Sequence, residues 1–289
     1  MSTAPSATRA YTLALAQMHA ATVLFGLSAI LGKLIESSSS ALVCGRALFA
    51  VGSIGLLCLI RRTAPWQGLS VRTLAGLVLS GGLLTAHYVT FFIGIKLGGV
   101  AVGTLGFACF PAFVTLFESL AFREHPKARE YVLILLVSIG LILITPSFSL
   151  ADQGTEGLLW GVGSGAIYAV LAVCNRFSAS RVSGVQAAWW QNLTILICLT
   201  PFAGAELLRA SALDWLWIAC LGVICTGVAY TLYITSLTVL KARLAALIIA
   251  LEPVYSILMA WVVFHDIPGL RTVCGGLLIL GAVLRAGRR

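Results

Sequence analysis

Ten apolar runs follow one another along the 289-residue chain with only short polar breaks between them. Each comes close to the roughly 20 residues that a helix needs to cross a bilayer. They are Thr12 to Gly32, Ala41 to Ile60, Leu74 to Gly94, Val100 to Phe122, Tyr131 to Phe148, Gly157 to Cys174, Val185 to Phe202, Trp215 to Thr235, Leu244 to Phe264 and Leu270 to Leu284. Hydrocarbon offers no partners to backbone amides, so a spanning segment must be a helix or a strand of a closed barrel. No run alternates apolar and polar residues with a period of two, which leaves helices. The expected fold class is therefore an all-α integral membrane protein with ten transmembrane helices. A chain 60% hydrophobic and 10% charged has too little polar surface to cover a soluble core, which agrees. The first run is full length and lacks a clear cleavage site, so it reads as a retained helix.

The net charge of +9 would suggest nucleic acid in a soluble protein. Here the charges stand singly between apolar runs instead of forming a basic face, so nucleic acid is excluded as a partner. Their placement orients the chain, because Lys and Arg are retained on the cytoplasmic side. With the N-terminus inside, 14 of the 19 basic residues are cytoplasmic, among them Arg61, Arg62, Arg123, Lys127, Arg129, Arg176, Arg181, Lys241, Arg288 and Arg289. The opposite face keeps Lys33, Arg46, Lys96, Arg209 and Arg271, and its central loop carries Asp152 and Glu156 with no base. Both termini are therefore expected in the cytoplasm.

Pro111 and Pro253 sit 142 positions apart in matching surroundings. Similar exits follow, Phe122-Arg-Glu124-His-Pro126 and Phe264-His-Asp266-Ile-Pro268, and upstream Tyr88 pairs with Tyr230 and Phe91 with Tyr233. Phe25 to Lys33 likewise matches Tyr168 to Arg176. The chain thus reads as one building block used twice: a tail over 1–10, a five-helix repeat over 11–148, a periplasmic linker over 149–156 and a second five-helix repeat over 157–289. Five is odd, so the second copy enters the membrane from the opposite side and the repeats are inverted. Such repeats allow alternating access, because each half can adopt the conformation of the other. Each proline removes an internal helix bond, leaving the carbonyls of Phe107 and Ile249 without their donors. Pro111 and Pro253 are the expected hinges, together with a tight turn at Gly98 and Gly99.

Two inverted five-helix copies with a mid-helix proline in the fourth and ninth helices resemble the drug/metabolite transporter superfamily, and within it the EamA-type exporters. The elements that carry the resemblance are Phe25-Gly26, Arg46 early in the second helix and the stretch from Pro253 to Pro268. The chain as a whole is similar to bacterial aromatic amino-acid exporters. The resemblance implies a central cavity lined by helices 1, 3, 4, 6, 8 and 9, and a role in exporting small metabolites. Gln191 stands where the Arg46 pattern would recur, and Phe110 where the second copy has Glu252, so the halves differ in chemistry.

Ionisable groups at membrane depth are costly and mark functional positions. Glu252 lies near the midplane, where a carboxylate can hold a substrate ammonium or a coupling proton; a protonated acid bonded to a neighbouring helix is the alternative. His87 can donate to a substrate carboxylate or be satisfied in packing, and His19 reads as packing. Tyr88, Phe91, Phe107, Tyr168, Tyr230 and Tyr233 supply rings and hydroxyls suited to an aromatic or large apolar substrate with a polar end. Trp66, Trp160, Trp189, Trp215 and Trp217 suit the membrane interface. Gly157, Gly161 and Gly165 form small-xxx-small steps for close helix packing.

Enzymatic readings fail on inventory. The eight cysteines form no C-x-x-C pair and the four histidines show no ligand spacing, so no metal or other cofactor is expected. No phosphate-cradling G-x-x-x-x-G-K occurs. Ser164 with His87 is the one pair worth testing for serine chemistry. The expected function is a secondary transporter that exports small amphipathic metabolites, most of all aromatic or large apolar amino acids, with the lipid bilayer as surroundings and a proton as a possible coupling ion. A broad drug or nucleotide-sugar carrier is the alternative within transport, and a membrane assembly or scaffold protein the alternative outside it.

Overall fold

The structure, a computed structural model, describes residues 4–122, 128–147, 149, 151–178, 182–240 and 242–287. The exit residues Arg123 to Pro126 and the basic residues Lys127, Arg181, Lys241, Arg288 and Arg289 lie outside the described residues, as do Phe148 and the side chains of Arg129 and Arg176. Among the described residues every regular element is helical: α1 (Ala4–Leu34), α2 (Ser39–Ile60), α3 (Val71–Phe107), α4 (Phe110–Phe122), α5 (Ala128–Ile144), α6 (Gln153–Ser178), α7 (Gly184–Leu208), α8 (Ala212–Gly222), α9 (Ala229–Leu237), α10 (Ala242–Ile249), α11 (Glu252–Phe264) and α12 (Leu270–Gly287). A single π-helical turn, Val223–Val228, joins α8 to α9.

Among the described residues six spans are long and apolar enough to cross a membrane: Arg9–Leu34, Ser39–Ile60, Val71–Phe107, Gln153–Asn175, Gly184–Leu208 and the α8–α9 unit Ala212–Leu237. Phe110–Ala121, Glu130–Ile144 and Glu252–Phe264 are shorter apolar helices. Phe202, Leu208, Val262, Leu277 and Leu120 point outward and are largely exposed, as a lipid-facing surface requires. Internal hydroxyls are satisfied locally: Thr22, Thr85, Thr104, Thr115 and Thr194 each donate to the carbonyl four residues back.

Serines define four helix starts. Ser38, Ser70 and Ser211 accept the amides of Ala41, Thr73 and Asp214, and Ser183 forms a reciprocal capping box with Gln186. The third and fourth expected runs meet in a bend at Gly99, where α3 divides into two helical arms; its φ of 79° and ψ of 170° are non-helical and suit glycine. The bend reverses the chain. A Cβ on Gly103 would fall 2.9 Å from the Ile95 nitrogen, whereas eight residues of straight helix would separate them by about 12 Å.

Both prolines sit in the first turn of a new half-helix. Ala108 and Cys109 interrupt the chain before α4, Ala250 and Leu251 before α11, and each pair of equivalent positions is 142 residues apart. Phe107 and Ile249, whose carbonyls lose their donors, are the last residues of α3 and α10. Proline here costs little, since a first-turn amide has no intrahelical acceptor in any case.

Packing repeats the duplication. α2 packs on α7 and α5 on α12, pairing equivalent helices, while α6 packs on α3 and α4 as α1 packs on α9 and α11. The contact between α6 and α3 is close enough to be governed by glycine. A Cβ on Gly157 would lie 2.3 Å from the Gly98 nitrogen, one on Gly161 2.7 Å from the Gly103 carbonyl and one on Gly165 3.0 Å from the Phe107 carbonyl. The small-residue steps therefore do bring backbones together.

Candidate functional site at the paired helix breaks

One break is lined by rings. Phe107 ends α3 and Phe110 begins α4, and their rings stack at 5.2 Å with an interplanar angle of 19°. Tyr168 of α6 stands edge-on to both, at 5.5 Å and 5.3 Å. Phe91 meets Phe107 at 5.4 Å. His87 sits in the middle of this group, 5.1 Å from Tyr88, 5.9 Å from Phe91, 5.1 Å from Phe107 and 4.9 Å from Tyr168. Edge-to-face and offset contacts of this kind hold a rigid apolar platform.

The other break carries charge. Glu252 begins α11, its side chain half-buried, and no described donor reaches its carboxylate oxygens. The nearby Ser256 hydroxyl donates instead to the Glu252 carbonyl and to the carbonyl of Gly26 in α1. A Cβ on Gly26 would meet Ser256 at 3.1 Å, so α1 and α11 touch through small residues beside the carboxylate. Tyr168 lies within electrostatic range of Tyr233, Tyr88, Glu252 and Tyr230, which brings five of the expected site residues into one neighbourhood.

Several expected residues have additional duties. His87 is 4% exposed, and its Nδ1 lies 2.8 Å from the Ser164 hydroxyl, which also contacts the His87 carbonyl at 3.0 Å. The Ser164 and His87 pair thus exists, yet Ser164 is fully buried and serves as a clamp between α6 and α3. Tyr230 donates its hydroxyl to the Gly184 carbonyl at 2.6 Å, tying α9 to the start of α7, and its ring lies 6.2 Å from that of Tyr233. Tyr233 packs with Met18 of α1, Leu240 just beyond α9, and Ala245 and Ile248 of α10. Gly98 and Gly99 form the bend between the two arms of α3, while Pro111 and Pro253 each open a half-helix. His19 Nδ1 lies 3.0 Å from the Tyr255 hydroxyl of α11, a packing contact.

Charge placement alone puts Arg46 among the residues of the outer face, and the structure corrects this. Its side chain is 5% exposed, its guanidinium lies 3.9 Å from the centre of the Tyr88 ring, and its Nε donates to Thr226 Oγ1 at 2.9 Å. Thr226 belongs to the π turn, a distortion that commonly marks functional positions. The sequence does carry the signal, since an arginine seven residues into an apolar helix is itself at membrane depth. Phe110, in sequence only a difference between the repeats, belongs to the platform.

At the end of the bundle bearing Lys33, polar groups tie the helices together. Lys33 Nζ meets Asp266 Oδ2 at 3.5 Å and lies over the Phe264 ring. Lys96 donates to the carbonyls of Ile35 and Ser37, and Asp214 accepts the amides of Glu36 and Ser37. At the opposite end a cavity of about 290 Å³ lies between Leu57, Arg61, Pro65 and Gln186, away from both breaks.

The fold and the site define a multi-pass helical membrane protein with a duplicated core and two broken helices. A family model matches it twice. The chain belongs to the EamA-like transporter family, with residues 12–145 and 155–286 matched. Its relatives include an uncharacterized transporter of Archaeoglobus fulgidus, 27% identical over 75% of this chain and 77% of that one. The uncharacterized transporter YxxF of Bacillus subtilis is 25% identical over 96% and 90%. The pseudopaline exporter CntI of Pseudomonas aeruginosa is 22% identical over 90% and 91%. A solved structure described as "Crystal structure of protein" superposes with a TM-score of 0.63 over 96% of both chains at 20% identity, which shows a shared fold. The protein is thus a membrane transporter of small molecules.

Proposed function

We propose that the protein is a secondary exporter of small amphipathic metabolites, chiefly aromatic or large apolar amino acids, working by alternating access in a bacterial inner membrane. The observation that carries this reading is the asymmetry of the two breaks. A ring platform of Phe107, Phe110 and Tyr168 adjoins one, and the uncompensated carboxylate of Glu252 opens the other. A solute with an apolar ring and an ammonium matches both. The two-fold packing pattern favours ten passes in two inverted halves, and the placement of Lys and Arg favours both termini in the cytoplasm and the Lys33 end outside. The relative CntI, a pseudopaline exporter, supports the outward direction.

In this cycle the solute enters from the cytoplasm, seats between the breaks and leaves when the contacts around Lys33, Lys96 and Asp214 part. Pro111 and Pro253 let the half-helices rotate, and Glu252 supplies the ammonium contact or the coupling proton. Efflux of radiolabelled amino acids from liposomes holding the purified protein, with and without a pH gradient, tests the reading. Aromatic amino acids are expected to move fastest, with Glu252→Gln removing the effect of the gradient or weakening the solute's hold. Movement of drug-like cations or nucleotide sugars in their place would overturn it.

A further inference from the structure

Arg46 and Glu252 are opposite charges held deep inside the same bundle, and they do not touch. No ion pair joins these two described side chains, so the guanidinium and the carboxylate stand beyond ion-pair contact. They are nonetheless within electrostatic reach of one another. Each is also incompletely used by the protein. The Arg46 side chain spends Nε on Thr226 and its π face on Tyr88, and no described acceptor bonds its two terminal nitrogens. Those nitrogens, like the Glu252 oxygens, are not among the sealed atoms lacking a partner, so both retain access to solvent-sized space.

An arginine fixed at Nε and stacked on a ring presents a preorganised fork, the geometry that receives a carboxylate through two parallel bonds. Burying such a charge without a counter-ion is costly, and an incoming anion relieves that cost. By helix rise Arg46 lies about 10 Å along α2 from Ser39, while Glu252 lies about 18 Å along α11 from Phe264, an offset of about 8 Å between ends on the same side.

We propose that Arg46 and Glu252 form a two-point receptor for a zwitterion, with its carboxylate on the Arg46 fork and its ammonium on Glu252. Resting on the function proposed above, it narrows the substrate class to solutes bearing both charges. The carboxylate contact weighed for His87 passes to Arg46, because His87 is 4% exposed, enclosed by rings and held by Ser164. Tyr88 is the positioning residue that holds the guanidinium in register.

Three probes separate the two contacts: L-phenylalanine, phenethylamine without the carboxylate, and 3-phenylpropionate without the ammonium. Each competes for efflux of labelled phenylalanine from liposomes carrying the full chain. Wild type is expected to prefer phenylalanine to either fragment by roughly tenfold or more, the range for losing a charged hydrogen bond. In Arg46→Gln the preference over phenethylamine should collapse toward one while phenethylamine itself competes as before. In Glu252→Gln the preference over 3-phenylpropionate should collapse instead. For a variant too slow to measure by flux, competition against bound labelled phenylalanine in detergent supplies the same ratios. Equal loss for all three probes in both variants would overturn the receptor and indicate a structural pair. A wild-type protein that moves none of the three would overturn the amino-acid reading itself.

Discussion

Lys33 Nζ and Asp266 Oδ2 lie 3.5 Å apart, joining the end of α1 to the residue that follows the left-handed cap of α11 at His265. Both side chains are partly exposed, so the pair is worth about 0.2–1 kcal/mol. Asp266→Asn should therefore shift the balance between closed and open outer ends by about fivefold or less, and the shift should vanish in high salt. Efflux rates at low and high ionic strength check this; a salt-independent change would assign the effect to packing over Phe264.

Asp214 holds the loop between α1 and α2. It is 5% exposed and accepts from Glu36 and Ser37. Asp214→Asn keeps one acceptor oxygen and turns the other into a donor facing a backbone amide, which should cost about 1–3 kcal/mol. Thermal unfolding in detergent is the measurement, with a lower midpoint expected and an unchanged one counting against the role.

The Ser164 clamp predicts a stability effect without a specificity effect. Ser164→Ala removes the hydroxyl between α6 and His87 and should cost about 1–3 kcal/mol, while the preference among transported solutes stays as in wild type. Altered solute preference at full stability would instead place Ser164 in the site.

Glycines along α6 are not equivalent. A Cβ at Gly157 would meet Gly98 backbone at 2.3 Å, whereas one at Gly163 would meet nothing within 4 Å. Gly157→Ala should destabilise by about 1–3 kcal/mol by forcing backbones apart, and Gly163→Ala should be near neutral or slightly stabilising. Comparable melting of the two variants would refute the close contact.

Pro253→Ala restores an amide able to donate to the Ile249 carbonyl across the Ala250–Leu251 break. Exchange between the two faces should slow more than binding weakens, read by comparing efflux rates with equilibrium binding. Equal losses in both would argue against a hinge.

Much of the architecture is legible in the order of residues alone. Apolar runs announce the membrane, and the matched prolines announce two breaks at Phe107 and Ile249. The site is legible only in part. Rings at 88, 91, 107 and 168 gather around His87, but charge placement alone makes Arg46 an outer-face residue and leaves His87 open between a solute contact and packing. Periodicity cannot decide either, because the partners Thr226 and Ser164 are distant in sequence and only packing brings them near.

The sequence by itself determined that the chain lives in lipid, that it is helical and that its core is duplicated, because backbone amides without water leave few solutions. The tertiary structure decided which face of each helix looks inward. Lipid tails and a protein core are equally apolar, so hydropathy cannot tell them apart. Only the close seating of glycine against backbone, of Arg46 on Tyr88 and of Ser164 on His87 shows where the interior lies.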